Sequence, residues 1–322
     1  MTILAGIDIG GTKCAVCLGR LTSDGVTVIG KQAYPTPSTP ELAMQSFIQG
    51  LETLALQHGV ERFASIGISC GGPLDSRRGR VLSPPNLPGW DDIDVITPLK
   101  ERFGVPVAVQ NDANAGALAE WKWGAGKGFS NVIFLTFGTG MGAGLILDGR
   151  LYSGTNDMAG EVGHMRLAED GPVGFGKAGS FEGFCSGGGI AKLARSMAET
   201  KLAGGPGPLF CPTKEELDAI TTLKVGQAAQ QGDVMALEVF RIVGRQLGRG
   251  LALLVDILNP ERIVIGSIYG RQQNLLEPVA LEELRREALS HSTAVCEVVP
   301  AALQESIGDL ACLSVALNVL NG

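Results

Sequence analysis

No run of lysine or arginine forms a stripe anywhere in the 322 residues, and the formal net charge is -7. Nucleic acid and anionic membranes are therefore poor partners, because both are held by clustered positive charge. Long apolar runs are missing as well. The longest lies around Leu251 to Leu258, is broken by Asp256, and is too short to cross a bilayer. The N-terminus has no basic region and meets Asp8 too early for a signal peptide, so a cytoplasmic location is expected. Histidine is scarce, three in all, and only His164 stands among glycines, which argues against a histidine-built metal site. The seven cysteines are scattered and odd in number, as reduced thiols are. Cys14 and Cys17 do form a C-x-x-C pair. They fall in an apparent strand, where residues three apart point to opposite faces, and no second pair completes a tetrahedral site. They read as buried small hydrophobes.

Glycine, by contrast, is abundant at 46 residues, and it clusters. Clustered glycines mark turns where backbone must approach something closely. Hydrophobic residues at 45% and charged residues at 18% give an ordinary globular balance, and the length suits two lobes with separate cores. One pattern recurs, an apolar strand running into a glycine turn. It occurs as Ile7-Asp-Ile-Gly-Gly-Thr-Lys13, Ile66-Gly-Ile-Ser-Cys-Gly-Gly-Pro73, Leu135-Thr-Phe-Gly-Thr-Gly-Met-Gly142 and Ile263-Val-Ile-Gly266. The first and third continue into a second strand, Cys14 to Leu18 and Gly144 to Leu147, like one hairpin used once in each half.

Caps and periodicity place the helices. Thr39-Pro40-Glu41 starts one that runs to about Gln57, and Asp91 to Arg102 is expected as another. A third runs from about Asn114 to Trp123, after the strand Val105 to Val109. Thr213-Lys-Glu-Glu216 reads as a capping box. Asp233 caps a long helix to about Leu258, closed by Asn259-Pro260, and Glu277 to Ser290 and Gly308 to Val319 complete the set. Strands alternating with helices make the class α/β. The expected division is a small lobe over 1–111, rejoined by a terminal helix over 308–322, and a large lobe over 112–307.

Several groups can do chemistry. Asp8, Gly10, Gly11, Thr12 and Lys13 put a carboxylate at a strand end directly before a glycine turn. Such a turn brings backbone N–H groups to phosphate oxygens, and the carboxylate can hold hydrated Mg²⁺. It is neither a Walker A loop nor a dinucleotide fingerprint. Phe137 to Gly144 holds four glycines in eight residues and is a second phosphate candidate. Asp112, in Gln110-Asn-Asp-Ala-Asn114, stands at a strand-to-helix junction. It can be a helix N-cap, or a base toward a hydroxyl in phosphoryl transfer, with Asn111 bonding a neighbouring hydroxyl. Glu161, His164 and Glu182 can bind a polyol or simply be surface charge in loops.

These residues together resemble the ROK family (repressors, open reading frames and kinases) of the hexokinase–actin ATPase superfamily. The resemblance spans essentially the whole chain. It rests on Asp8-Ile-Gly-Gly-Thr-Lys13, Gly71-Gly-Pro73, Pro85-Asn-Leu87, Asn111-Asp-Ala-Asn114, Phe137-Gly-Thr-Gly140, Gly160-Glu-Val-Gly-His164, Glu182 with Ser186-Gly187, and Ile263-Val-Ile-Gly266, in that order. It implies a two-lobed actin-like ATPase fold, ribonuclease H-like, with an active-site cleft between the lobes. It also implies ATP- and Mg²⁺-dependent phosphorylation of a hexose or N-acetylhexosamine hydroxyl, the 6-OH above all, in the manner of a glucokinase. Asp112 matches the catalytic base. Gly72, Asn86, Asn111, Glu161, His164 and Glu182 match sugar-binding positions. Gly10, Gly11, Thr12 and Lys13 match one phosphate loop and Gly138, Thr139 and Gly140 the other. Asp8 matches the water-mediated Mg²⁺ position. Gly266 matches the adenosine-side turn, where the family often has a second glycine and this chain has Ser267.

Zinc-containing members carry a cysteine-rich segment after the Gly-His motif. Here that segment reads Gly174-Phe-Gly-Lys-Ala-Gly-Ser-Phe-Glu182, without a cysteine, and Cys185 lies beyond it. Structural zinc is not expected. Repressor members carry a helix-turn-helix ahead of the core, for which seven residues before Asp8 leave no room. The expected partners are thus a sugar and ATP, with a homodimer allowed for. The competing expectation is a sugar-sensing protein of the same fold with weak turnover.

Overall fold

The computed structural model describes residues 2–23 and 25–321. Met1 and Gly322, the outer ends of the expected lobe ranges, lie outside the described residues. Two compact units are distinguished. The first comprises Met1–Phe134, Gly144–Ala159 and Ala302–Gly322, and the second Leu135–Ala143 and Gly160–Ala301.

In the first unit a five-stranded sheet runs, edge to edge, Val26–Pro35, Lys13–Leu21, Ile3–Ile9, Ser65–Cys70 and Val107–Asn111. Ile3–Ile9 pairs antiparallel with Lys13–Leu21 and parallel with Ser65–Cys70. Its near-continuous apolar run is the pattern of a strand covered on both faces. One face packs with Phe47, Leu51 and Leu54 of the helix Pro40–Gln57. The other packs with Leu310, Cys312 and Leu313 of the helix Ile307–Asn321. Cys14 belongs to the first cluster and Cys17 to the second, so the pair points to opposite faces as its strand setting predicts.

The terminal helix is fixed by polar bonds as well as by packing. Ser65 Oγ donates to the Ala316 carbonyl at 2.6 Å. Glu120, fully buried, accepts from the Ala125, Ala302 and Leu303 amides at 2.7, 3.3 and 2.9 Å. A buried carboxylate needs such partners, and these tie the returning chain to the helix Asp112–Trp123.

The second sheet has the order Arg150–Tyr152, Met141–Leu147, Val132–Phe137, Arg262–Ile265, Glu297–Pro300. Both glycine-turn strand pairs noted in the sequence are therefore sheet neighbours. The long helix Val234–Leu258 begins on Asp233, which accepts from the Ala236 amide at 2.8 Å, and ends on Asn259 at φ 44°. Among the described residues no helix is long and apolar enough to cross a membrane.

Three local expectations are corrected. Asp91 to Arg102 is not one helix: Ile93–Asp94 is a short strand and the helix is Thr97–Phe103. Asp94 Oδ1 accepts from the Ile96 and Thr97 amides at 3.0 and 2.9 Å, and this side-chain turn competes with helix ahead of Thr97. Thr213 makes no side-chain cap bond, and it leads into the 3₁₀ segment Lys214–Ala219 rather than an α-helix. The helix placed at Glu277 to Ser290 is Gln273–Glu287.

Candidate functional site

The first unit carries Asp8, Gly10 to Lys13, Gly72, Asn86, Asn111 and Asp112. Asp8 lies one residue before the end of its strand, opposite Ala15 and Ser69. Burial is the main cause that pushes its pKa up to about 6, and the charges of Asp309 and Asp112 add to it, while Lys31 and Lys13 oppose. Lys31 is itself bound to Asp309 at 2.6 Å. The turn after Asp8 is held from below. Thr36 Oγ1 donates to the Gly10 carbonyl at 2.6 Å, and the Cys14 thiol faces Thr36 Oγ1 at 3.5 Å. Gly11 lies against Asn86, where an added Cβ would come within 2.5 Å of the Asn86 carbonyl oxygen. That close approach requires glycine, and it sets Asn86 beside the Gly-Gly-Thr turn. Thr12, Lys13, Gly72 and Asn86 are all exposed.

At the junction Asn111-Asp112 either residue could cap the helix that follows. The N-cap is Asn111: its Oδ1 accepts from the Asn114 amide at 2.7 Å. Asp112 is the first helical residue and is solvent-exposed, with Oδ1 accepting from the Ala113 amide at 2.9 Å. Lost hydration from the protein around it is the largest influence on its carboxyl and pushes the pKa up, while that Ala113 amide pulls it down. The cap thus leaves Asp112 free to meet a ligand.

The second unit carries Gly138 to Gly140, Glu161, His164, Glu182 and Gly266. Within it the structure gathers residues that the sequence spreads over more than a hundred positions. The Gly138 amide donates to the Gly140 carbonyl at 3.2 Å, closing the turn. The Gly138 carbonyl accepts from the Gly187 amide at 2.8 Å, so the 18-residue helix Gly187–Gly204 opens beside it. A helix start favours anionic groups. Glu182 reaches the same turn, accepting from the Met141 amide at 3.2 Å. Gly160 sits at φ 89°, where an added Cβ would be 2.0 Å from the Ala143 carbonyl oxygen. Only glycine allows this, and it pins the Gly-Glu-Val-Gly-His segment to the strand leaving the phosphate turn. Glu161 Oε2 and His164 Nε2 then stand 3.9 Å apart, both nearly half exposed. Gly266 is buried, and its amide donates to the Leu135 carbonyl at 3.0 Å. Ser267 comes next at φ 52°, backbone that glycine adopts more readily.

Sequence reasoning missed several participants. Asp309 and Lys31, which load and relieve the charge around Asp8, carry no local signature because the contact joins the edge strand to the last helix. Phe175 and Lys177 belong to a segment whose only sequence signal is its missing cysteines. Cys185, beyond that segment, is buried and points its thiol at the Val243 carbonyl.

A hydrated magnesium ion fits the first unit. Burial first, and the charges of Asp309 and Asp112 after it, raise the Asp8 carboxyl, and a cation would relieve that clustered negative charge. Among the described residues no group of three or more His, Cys, Asp and Glu side chains is placed to hold a metal directly. Magnesium commonly keeps its waters and takes one or two carboxylates plus substrate phosphates, which is the arrangement Asp8 can serve.

The chain is similar to known proteins over nearly its whole length. A family model described as "ROK family" matches residues 4–317. The glucokinase of Streptomyces coelicolor is 32% identical over 317 residues, covering 96% of this chain and 95% of its own. The ROK hexokinase from Thermus thermophilus superposes with a TM-score of 0.82 at 29% identity, covering 100% of both chains. A ROK family glucokinase from Streptomyces griseus, solved in complex with glucose and AMPPNP, gives a TM-score of 0.75 at 30% identity over 99% of this chain and 100% of its own. With its α/β elements matched to these proteins from end to end, the chain has the actin-like ATPase fold and belongs to the ROK family.

Proposed function

We propose that this protein transfers the γ-phosphoryl group of ATP to a hydroxyl of a hexose or N-acetylhexosamine, the primary hydroxyl at C6, as a glucokinase does. One observation carries the reading: a buried Asn111 takes the capping role and leaves Asp112 exposed, helical and raised in pKa. An aspartate needed only for capping would be the cap. The glucokinase names of the relatives, and the glucose and AMPPNP in the Streptomyces griseus structure, support the same reading.

In this mechanism the hydroxyl donates its hydrogen bond to the Asp112 carboxylate, and its proton passes there as the oxygen attacks the γ-phosphorus, the bond from that phosphorus to the bridging oxygen breaks and ADP leaves. The raised pKa makes Asp112 a better acceptor than an ordinary carboxylate. Phosphoryl transfer asks for little covalent help, so position matters most. In the first unit Asn86, Asn111 and Gly72 are the candidate sugar-binding groups, and in the second unit they are Glu161, His164 and Glu182. Each unit has its own candidate phosphate turn, with backbone N–H groups at Gly10 to Thr12 in the first and at Gly138 to Gly140 in the second. Asp8 would hold magnesium, and the bound ion would neutralise charge on the phosphates.

An ADP-release assay over a panel of hexoses tests this. Glucose and N-acetylmannosamine come first, then mannose, allose, fructose and N-acetylglucosamine. The reading requires sugar-dependent ADP release that fails in Asp112→Asn. Sugar binding without turnover by the unaltered protein would establish the sensing role instead.

A further inference from the structure

Phe175 is a large apolar residue that is 70% exposed, and it stands in backbone that disfavours it. Val173–Gly174 and Lys177–Ala178 pair antiparallel, with Val173 opposite Ala178 and Gly174 opposite Lys177. The two linking residues are Phe175 at φ 43° and Gly176 at φ 76°. A two-residue turn with both φ values positive wants asparagine, aspartate or glycine first, and a bulky side chain there is an outlier. Outliers of this kind cluster where a side chain is needed for function.

The surroundings show how the side chain is used. The Phe175 ring meets the His164 imidazole edge to face, with centroids 5.1 Å apart and planes at 76°. Two residues on, the Lys177 ammonium donates to the His164 carbonyl at 2.8 Å. The base of the hairpin is anchored independently. Arg166 donates to the Ala178 carbonyl and Lys192 to the Val173 carbonyl, at 2.9 and 2.8 Å. Gly174 is packed so closely that an added Cβ would lie 2.5 Å from the Gly183 amide nitrogen, next to Glu182. The tip is therefore presented from a fixed base, and its aromatic contact is with one imidazole.

The geometry points to Phe175 and Lys177 as positioning residues that set the His164 imidazole for the sugar, one through the ring and the other through the backbone. The inference rests on the sugar-binding role proposed for His164. It also gives the cysteine-free segment a purpose, since its side-chain contacts hold the loop and orient the histidine.

Orientation and stability can be separated by experiment. Phe175→Gly removes the ring and also relieves the backbone, so the melting temperature should hold or rise. The KM for the sugar should rise roughly three- to tenfold, the range that loss of one edge-to-face aromatic contact supports. The KM for ATP should stay within about twofold on the same account. Phe175→Tyr should restore the sugar KM, and Lys177→Met should raise it in the same direction. An activity-free readout is the carbon-bound proton of the His164 imidazole in a carbon–proton spectrum, assigned by its loss in His164→Gln. Removing the Phe175 ring current should move that resonance. An unmoved resonance together with an unchanged sugar KM in Phe175→Gly overturns the inference. Should the unaltered protein phosphorylate no sugar, the kinase reading falls, and the imidazole resonance alone decides whether the Phe175 ring stands against His164.

Discussion

The Glu182 carboxylate accepts a hydrogen bond from the Met141 amide at 3.2 Å, which joins a candidate sugar ligand to the end of a candidate phosphate turn. In sequence the two are 41 residues apart. One carboxylate oxygen is thereby committed, and the charge of Glu182 is fixed next to Gly140, where an added Cβ would lie 2.9 Å from Oε2. Glu182→Ala should therefore raise the KM for sugar about tenfold or more and also disturb the KM for ATP. Steady-state kinetics with each substrate varied in turn will show it. An effect on the sugar alone would mean that the link to the turn is incidental.

Asp112→Asn should lower kcat at least ~10²-fold, the usual share of a positioned base. The fold and sugar affinity should remain close to those of the unaltered protein, because the helix cap is Asn111. Calorimetric sugar binding alongside turnover measures both. A near-normal kcat would place the base elsewhere.

Asp8 gives a stability prediction with a definite sign. Its folded carboxyl takes up a proton at about 6, above the ordinary 3.8. The folded state thus holds that proton more tightly than the unfolded chain does. The cost of ionising Asp8 builds as pH rises through this window and is complete above it. Without magnesium, Asp8→Asn should stabilise the protein at a pH of about 7.5 by about 1–3 kcal/mol and have little effect near a pH of about 3.5. Denaturant unfolding at the two pH values reads this directly, and equal effects at both would contradict it. The same variant should lose activity.

Glu120→Ala should destabilise the protein by roughly 2–4 kcal/mol, since three amides lose a buried acceptor. The damage should centre on the return of the chain at Ala302 and Leu303. Hydrogen exchange should show the helix Ile307–Asn321 losing protection first. Unchanged stability would mean that water replaces the carboxylate at no cost.

Elemental analysis of the purified protein should find no stoichiometric zinc, and chelators should leave its melting temperature unchanged. The segment from Gly174 to Glu182 contains no cysteine, and Arg166, Lys177 and Lys192 bind backbone carbonyls in and around it. One zinc per chain would overturn this, because closed structural sites hold their metal through purification.

Local chemistry was legible in the residues alone. Apolar runs ending in glycine marked strand after strand, because burial on both faces and a tight turn each leave a local trace. Thr39 and Asp233 announced their helices, because a cap bond spans only three residues. The order of glycine, aspartate and histidine motifs was sufficient to indicate the family. Other features depended on packing. Asn111 became the cap and Asp112 stayed open, a choice between two adjacent residues that both cap well. Asp94 made a side-chain turn where periodicity suggested helix. Asp309 and Lys31 came to Asp8, and Phe175 to His164, across separations that carry no period and no spacing. Such contacts arise only when strands and helices have packed, because no short-range preference encodes which distant side chain will meet which.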